Sequence, residues 1–200
     1  MQRKKWITKS ILFAAVCLIM LSQSLIADDK IAAEEFLKSN LEAVFAVLQK
    51  KDLGQQAKSK EVVEIVTPMF DFNLMAKLSL GRKHWSSMTA EKRERFTALF
   101  VERLRQSYLN KLTAYTDEKI TYDSPVAVEK KVHVPTHLIS KGNEISMLYK
   151  LYPSNNSWKI YDLEIQGVSI IMSYRSQFNE ILQSGTIDDL LDRLEKSTDS

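Results

Sequence analysis

The side chains best suited to metal binding in this chain are its three histidines, His84, His133 and His137. His133 and His137 are four residues apart in a segment whose alternation predicts a β-strand. That spacing puts both rings on one face of the strand, but about 13 Å apart at ~3.3 Å per residue, too far to hold one ion. His84 precedes Trp85 in a predicted turn, with no carboxylate at ligand spacing. The histidines therefore predict no metal site.

Nucleophilic and phosphate-binding motifs are also incomplete. Gly167-Val168-Ser169 begins like a nucleophile elbow, but no glycine follows at the spacing of G-x-S-x-G. The chain has only five glycines and no glycine-rich phosphate loop. Its single cysteine, Cys17, lies in a segment that we expect to be removed. The sequence thus predicts a protein that is not an enzyme and has no cofactor.

The first 27 residues read as a secretory signal peptide. Four basic residues precede or flank an eleven-residue apolar run, Ile11 to Leu21, and Ala27 is a small residue suited to cleavage. The run is short for a transmembrane helix, which needs about 20 apolar residues. A retained signal anchor is the alternative. We expect a mature domain of residues 28–200 in the periplasm.

Cleavage changes the charge from which partners would be judged. The whole chain has 28 basic and 25 acidic residues, a net charge of +3. The leader holds four of the basic residues and none of the acidic ones, so residues 28–200 carry 24 basic against 25 acidic residues, net −1. Nucleic-acid binding would need a concentrated basic face. We therefore expect no nucleic-acid partner.

Helical periodicity dominates the first half of residues 28–200. Apolar stripes predict helices over Ile31 to Lys50 and Lys58 to Val66, the second stopped by Thr67-Pro68. Asp71 is a predicted N-cap for a third helix that Gly81 ends. A turn then leads to a long helix capped by Thr89, continuing to Leu112.

Two-residue alternation follows. Strands are predicted over Ile120 to Val128, Lys131 to Ser140, Glu144 to Tyr152 and Trp158 to Ile165, with Pro125 marking an edge or a bulge. Short connections indicate an antiparallel meander. Gly167 allows a sharp turn into a helix that begins at Val168, whose side chain we expect between sheet and helix.

A final helix begins at Thr186, which forms a capping-box pattern with Asp189. The predicted fold class is therefore α+β, a four-stranded antiparallel sheet with helices from both ends of the chain packed against it. The apolar residues of these elements either fill a core or surround a cavity, and composition does not distinguish the two.

Ordered sequence blocks resemble the MlaC family of periplasmic phospholipid-binding proteins, also called toluene-tolerance auxiliary proteins. The blocks are Pro68-Met69-Phe70-Asp71-Phe72 with Met75, Leu80-Gly81-Arg82 with Trp85, Thr89 with Arg93, Phe96 and Phe100, Trp158-Lys159-Ile160-Tyr161-Asp162, and Gly167-Val168-Ser169 through Tyr174-Arg175-Ser176-Gln177-Phe178. Each block is weak alone, and their order over nearly all of residues 28–200 is specific. Tyr161 stands where a β-branched residue is expected, and Lys92 where Gln is usual.

The resemblance implies a soluble monomeric carrier with an apolar cavity between sheet and helices. Its cargo would be phospholipid, moved between an outer-membrane lipoprotein–porin complex and an inner-membrane ABC transporter complex with a membrane-anchored lipid-binding subunit. That activity maintains outer-membrane lipid asymmetry and organic-solvent tolerance. The side chains expected to contact lipid are Phe70, Leu74, Leu78, Trp85, Phe96, Phe100, Leu104, Tyr108, Met147, Tyr149, Leu151, Trp158, Ile160, Val168, Ile171 and Tyr174.

Two other classes stay open at this point. A small α+β enzyme acting on an apolar substrate would need a polar residue inside the cavity, for example His84, Asp162 or Tyr149. An interaction protein would instead have a filled core.

Overall fold

Residues 28–109, 119–140 and 142–198 are described by the structure, a computed structural model. Helix α1 spans residues 28–48, and the helices that follow it are α2 (Gln55–Val66), α3 (Phe72–Leu80), α4 (Arg82–Ser87) and α5 (Ala90–Leu104). A 3-10 turn, Thr67–Met69, follows α2, and a π-helical turn, Arg105–Leu109, follows α5. Helices α6 (Ile170–Ser184) and α7 (Ile187–Thr198) end the described chain.

The helix boundaries follow local capping chemistry. The Asp71 carboxylate accepts a hydrogen bond from the Leu74 amide at 2.9 Å, and the Thr89 hydroxyl accepts one from the Lys92 amide at 3.2 Å. Thr186 and Asp189 form a reciprocal pair, with the Thr186 amide donating at 2.7 Å and the Asp189 amide donating back at 3.2 Å. These side chains satisfy first-turn amides that have no partner within the helix. The three predicted caps are confirmed.

One antiparallel sheet contains six strands within the described residues. They are β1 (Lys119–Tyr122), β2 (Val126–Val128), β3 (Lys131–Ser140), β4 (Asn143–Ser154), β5 (Ser157–Ile165) and β6 (Val168–Ser169). The order is β1-β3-β4-β5-β6, and β2 also pairs with β3. The α+β class and the meander β3-β4-β5 are confirmed.

The strand count differs from the four predicted for two local reasons. Pro125 has no amide hydrogen and a fixed φ, so the single strand predicted over Ile120 to Val128 divides into β1 and β2. At the other edge, Gly167 adopts a φ of 77° and turns the chain back on β5. Val168 therefore pairs with Ile165 as strand β6, and the last long helix begins at Ile170 rather than at Val168.

Other predicted boundaries also shift. The segment expected as a turn around His84 and Trp85 is helix α4. Helix α5 ends at Leu104 and passes into the π-helical turn, and Leu112, to which it was predicted to extend, lies outside the described residues. Lys141, which lies between the second and third predicted strands, is likewise outside them.

The core lies on the sheet face that is covered by α3, α5 and α6. Its centre is an aromatic cluster in which the rings of Phe96 and Phe178 are 5.5 Å apart and those of Phe100 and Tyr174 are 5.2 Å apart, both edge to face. Each of these four side chains is at most 5% exposed. Edge-to-face contact adds specific geometry to apolar burial.

A buried carboxylate connects α6 to the sheet. Asp162 on β5 is 5% exposed and accepts hydrogen bonds from the Ser169 hydroxyl at 2.8 Å and the Ile171 amide at 3.2 Å. Lys150 donates to it from β4 at 3.0 Å and also pairs with Glu164. A buried carboxylate needs hydrogen-bond partners. Because two of these partners belong to Ser169 and Ile171, Asp162 holds the start of α6 against β5.

Candidate functional site

An apolar cavity of about 380 Å³ lies between the sheet and the N-terminal helices. Its walls come from α1, the α2–α3 segment, the C-terminal part of α5 with its π-helical turn, the inner face of the sheet, and the start of α6. The lining residues are Leu41, Val44, Phe45, Leu48, Val66, Met69, Phe70, Phe72, Met75, Val101, Leu104, Arg105, Ser107, Tyr108, Ile120, Leu138, Ile145, Met147, Tyr149, Leu163, Ile165 and Ile170. This volume is within the range of about 300–1,000 Å³ typical of ligand sites.

The lining residues of α1 and β4 recur at the period of a helix and of a strand, respectively. On α1, Leu41, Val44 and Leu48 recur at three- and four-residue spacing, which places them on one helix face. On β4, Ile145 and Met147 are two residues apart, so both point to the inner face of the sheet. Helices and strands therefore supply most of the described lining of this apolar cavity.

Few of the described polar residues reach the cavity. Arg105 is the charged residue among the described lining residues, and Ser107 and the hydroxyls of Tyr108 and Tyr149 are neutral. The Ser107 hydroxyl is 3.4 Å from that of Tyr174. The cavity suits an aliphatic ligand with a polar group at one end.

The tyrosines of the cavity stay neutral at physiological pH. Burial raises the pKa of Tyr149, and the neighbouring Tyr122 adds to the shift. The Tyr149 hydroxyl donates to the Met147 sulfur at 3.9 Å, a weak interaction. Burial and then Tyr174 raise the pKa of Tyr108. Neither phenol has the lowered pKa that a general base at neutral pH needs.

Five of the predicted lipid-contacting residues line the cavity: Phe70, Leu104, Tyr108, Met147 and Tyr149. Their contact with lipid stays a prediction. The structure places seven others in the core beneath and beside it: Phe96, Phe100, Leu151, Trp158, Ile160, Ile171 and Tyr174. Leu74, Leu78 and Trp85 are half-buried on α3 and α4, outside the lining.

The expected position of Val168 needs correction. Its side chain is 59% exposed and is not part of the lining. The physical reason is the β5–β6 turn. Pairing with Ile165 places Val168 on β6, the edge strand of the sheet, where its side chain lies beside solvent rather than between the sheet and α6. Ile170, two residues later, reaches the cavity instead.

The residues that α1 and strands β1 and β3 contribute to the lining were not predicted from the sequence. Leu41 and Val44 belong to a helical stripe that was visible in the sequence, and Ile120 and Leu138 to strand alternation. Their periodicity predicted that these side chains would be buried. It did not show whether they would pack against other side chains or border a cavity. Arg105 was missed because a charge within a charge-rich helix reads as solvent-exposed.

The histidines lie outside the cavity lining. His133 Nε2 is 3.1 Å from the Tyr161 hydroxyl. His137 lies between two carboxylates, with Asp123 2.9 Å from Nε2 and Glu144 2.7 Å from Nδ1. In the described parts of the chain no group of three or more His, Cys, Asp or Glu side chains is placed to hold a metal ion.

Of the residues considered for an enzyme, His84 and Asp162 are outside the lining and Tyr149 is within it. Asp162 uses its oxygens to hold Ser169, Lys150 and the Ile171 amide. Its role in the structure is to join α6 to the sheet.

Comparison with known proteins identifies the family of this chain. A model of the family described as MlaC protein matches residues 38–196. The chain belongs to the MlaC family. A curated MlaC relative, the intermembrane phospholipid transport system binding protein of Haemophilus influenzae, is 25% identical over 98% of this chain and 94% of its own length.

Two further similarities agree with membership of the MlaC family. The toluene tolerance protein ttg2D of Pseudomonas putida is 26% identical over 60% of this chain and 56% of its own length. A solved structure of a phospholipid-binding protein from Ralstonia solanacearum, in complex with a phospholipid, has a TM-score of 0.75 and 25% identity. That similarity covers 83% of this chain and 96% of the Ralstonia chain. Among the described residues, no helix has the length and apolar character to span a membrane.

Proposed function

We propose that this MlaC family member is a periplasmic phospholipid carrier that holds acyl chain in the cavity between sheet and helices. The observation that carries the proposal is the cavity itself, about 380 Å³ with an almost wholly apolar lining. At about 30 Å³ for each water-sized group, it has room for about a dozen such groups. With about 0.8 kcal/mol for each methylene removed from water, a dozen methylenes gain roughly 10 kcal/mol.

The size of the cavity supports the same proposal. A well-packed protein core leaves few voids larger than a water molecule, whereas this cavity has a volume of about 380 Å³. A cavity of this size is therefore unfavourable as an unused packing defect and reasonable as a ligand site. It counts against the filled-core interaction protein.

The cellular role extends the proposal beyond binding. Residues 1–27 serve as a cleaved signal peptide, and residues 28–200 form a single carrier domain that acts as a monomer. It exchanges lipid with an outer-membrane lipoprotein–porin complex and with an inner-membrane ABC transporter complex, which maintains outer-membrane lipid asymmetry. The name of the Haemophilus relative, an intermembrane phospholipid transport system binding protein, supports a role in phospholipid transport between membranes.

The carrier is not an enzyme in this proposal. The one candidate catalytic residue that lines the cavity, Tyr149, has a pKa raised by burial and therefore remains protonated. Alanine substitution of His84 or His133 should change lipid transfer by no more than a few-fold. A folded variant of either that abolishes transfer would favour the enzyme.

Native mass spectrometry of protein purified from the periplasm tests the central proposal. We expect the mass of residues 28–200 plus phospholipid, and loss of the added mass after organic extraction. Recovery of lipid-free protein that also fails to take up phospholipid from vesicles would contradict it. Uptake followed by release of a hydrolysed lipid would instead support an enzyme.

A further inference from the structure

Among the described residues, one cationic side chain, Arg105, interrupts the apolar wall that α5 and its π-helical turn contribute to the cavity. Val101, Leu104 and Tyr108 line it at three- and four-residue spacing, and Arg105 lies within the same helical face. It is the charged residue among all described residues of the lining. An apolar residue would serve a simple hydrophobic wall better, because a charge near a low-dielectric cavity loses hydration.

The contacts that Arg105 makes with the described residues do not explain its position. Its Nη1 atom is 3.7 Å from Glu102 Oε2, one turn back on the helix, and the two side chains are 39% and 46% exposed. Exposed pairs at this helical spacing contribute only a few tenths of a kcal/mol. Partial exposure also places Arg105 where the cavity meets solvent, with room for its aliphatic stem against the wall and its guanidinium in water.

The turn that contains Arg105 also contributes hydroxyl-bearing residues to the lining. From Arg105 to Leu109 the chain forms a π-helical turn, a feature often found at functional sites. Ser107 lines the cavity, and its hydroxyl is 3.4 Å from the Tyr174 hydroxyl. Tyr108 lines the cavity too. The Arg105 side chain and the hydroxyl-bearing residues Ser107 and Tyr108 thus belong to an otherwise apolar segment of the lining.

We propose that Arg105 is the phosphate-binding residue of the carrier, holding the phosphodiester of a glycerophospholipid at the cavity mouth while the acyl chain fills the interior. This inference rests on the proposed carrier function and adds the headgroup chemistry. A guanidinium presents paired N–H donors that match two phosphate oxygens. Because every glycerophospholipid has this phosphate, Arg105 selects phosphate-bearing lipids without choosing among their alcohols.

The expected selectivity follows from the strength of charged hydrogen bonds. A hydrogen bond to a charged group corresponds to roughly a 10- to 100-fold change in affinity. Wild-type protein should therefore prefer phosphatidylglycerol over diacylglycerol with the same acyl chains by that factor. Arg105→Gln should remove most of the preference, and Arg105→Lys should retain part of it as a point charge. Arg103→Gln is the matched control, because Arg103 lies two residues earlier, at the end of α5, and is outside the lining.

The experiment delipidates each protein and measures its uptake of fluorescent phosphatidylglycerol or diacylglycerol from neutral vesicles, together with its thermal unfolding. Inorganic phosphate at millimolar concentration is added in a parallel series to separate a lipid headgroup site from a free-phosphate site. We expect the preference in the wild type and in Arg103→Gln, its loss in Arg105→Gln, and little competition by inorganic phosphate.

Each departure has a distinct meaning. Equal uptake of the two lipids by the wild type would overturn the role of Arg105 and leave the carrier function intact. A wild type that takes up neither lipid would overturn the carrier function. A preference that survives Arg105→Gln, or that Arg103→Gln also loses, would refute assignment of the site to Arg105. Full competition by inorganic phosphate would reassign the site to free phosphate. The wild-type comparison requires no variant to fold.

Discussion

Two substitutions on strand β4 distinguish a ligand cavity from a packed core. Met147 and Leu151 both contribute to the inner side of the sheet, but Met147 lines the cavity and Leu151 is 0% exposed within the core. Replacing each with glutamate introduces the same carboxylate into two environments. We expect Met147→Glu to fold and lose phospholipid, and Leu151→Glu to lose its folded structure.

The magnitudes follow from what surrounds each side chain. At Leu151, the substitution removes about 1.5–3 kcal/mol of apolar burial and adds several kcal/mol for an unpaired buried charge. The sum is comparable to a typical stability of about 5–15 kcal/mol. At Met147, the delipidated cavity has room for about a dozen waters, so the carboxylate stays hydrated. The loss there should be on the order of 1–2 kcal/mol, from reduced apolar burial.

Lipid binding, unlike folding, should be strongly reduced by the substitution at Met147. In the Met147→Glu variant, an entering acyl chain would remove water from the new carboxylate at a cost of several kcal/mol, which lowers loading by at least about 100-fold. Met147→Leu keeps the volume and apolar character and should load normally. Urea unfolding and lipid content are measured on the same preparations.

Two results would refute the reasoning. Unfolding of Met147→Glu to the same extent as Leu151→Glu would show that its site is a packed core. Normal lipid content in folded Met147→Glu would show that the side chain does not contact the cargo.

The remaining predictions concern lipid removal, a helix cap, pH and processing. Extraction of lipid should lower stability, by about 2.7 kcal/mol relative to protein with free lipid at 100 times Kd, as measured by thermal unfolding. Thr186→Ala should cost about 1 kcal/mol in urea unfolding, because it removes the capping hydroxyl of α7. The hydrogen bond to Asp123 raises the pKa of His137, so its contribution to stability is complete below the unfolded pKa of about 6.5 and is lost as pH rises through the folded pKa. An NMR titration should show that raised midpoint, and Asp123→Asn should lower it. The intact mass of the exported protein should correspond to a chain that begins at Asp28, and a full-length product would contradict cleavage there.

Features that depend on a few neighbouring residues could be predicted from the sequence. Asp71 and Thr89 cap their helices because a side-chain oxygen needs only the amide three residues later. Strands β3 to β5 were visible because their side chains alternate at a period of two. The turn at Gly167 was visible because glycine tolerates a positive φ. These interactions are local, so they require no knowledge of the partner elements.

The difference between lining and filling a core was decided by tertiary structure. Phe100 and Tyr108 belong to the same predicted helical stripe, yet Phe100 packs among aromatic rings and Tyr108 borders the cavity. Periodicity specifies which side of an element is apolar. It does not specify how far that side stands from the element opposite, because this distance depends on packing between segments remote in sequence.

Val168 and Arg105 both lie where residue type alone would not have placed them. Val168 is apolar and yet lies on the surface, because its pairing in β6 depends on how the turn after β5 closes. Arg105 is charged and yet borders the cavity, because the π-helical turn after α5 shares this cavity with α1 and the sheet. Residue type alone determined that this chain has enough apolar surface for a core. Only the distance between helices and sheet determined that part of that surface encloses a space for a ligand.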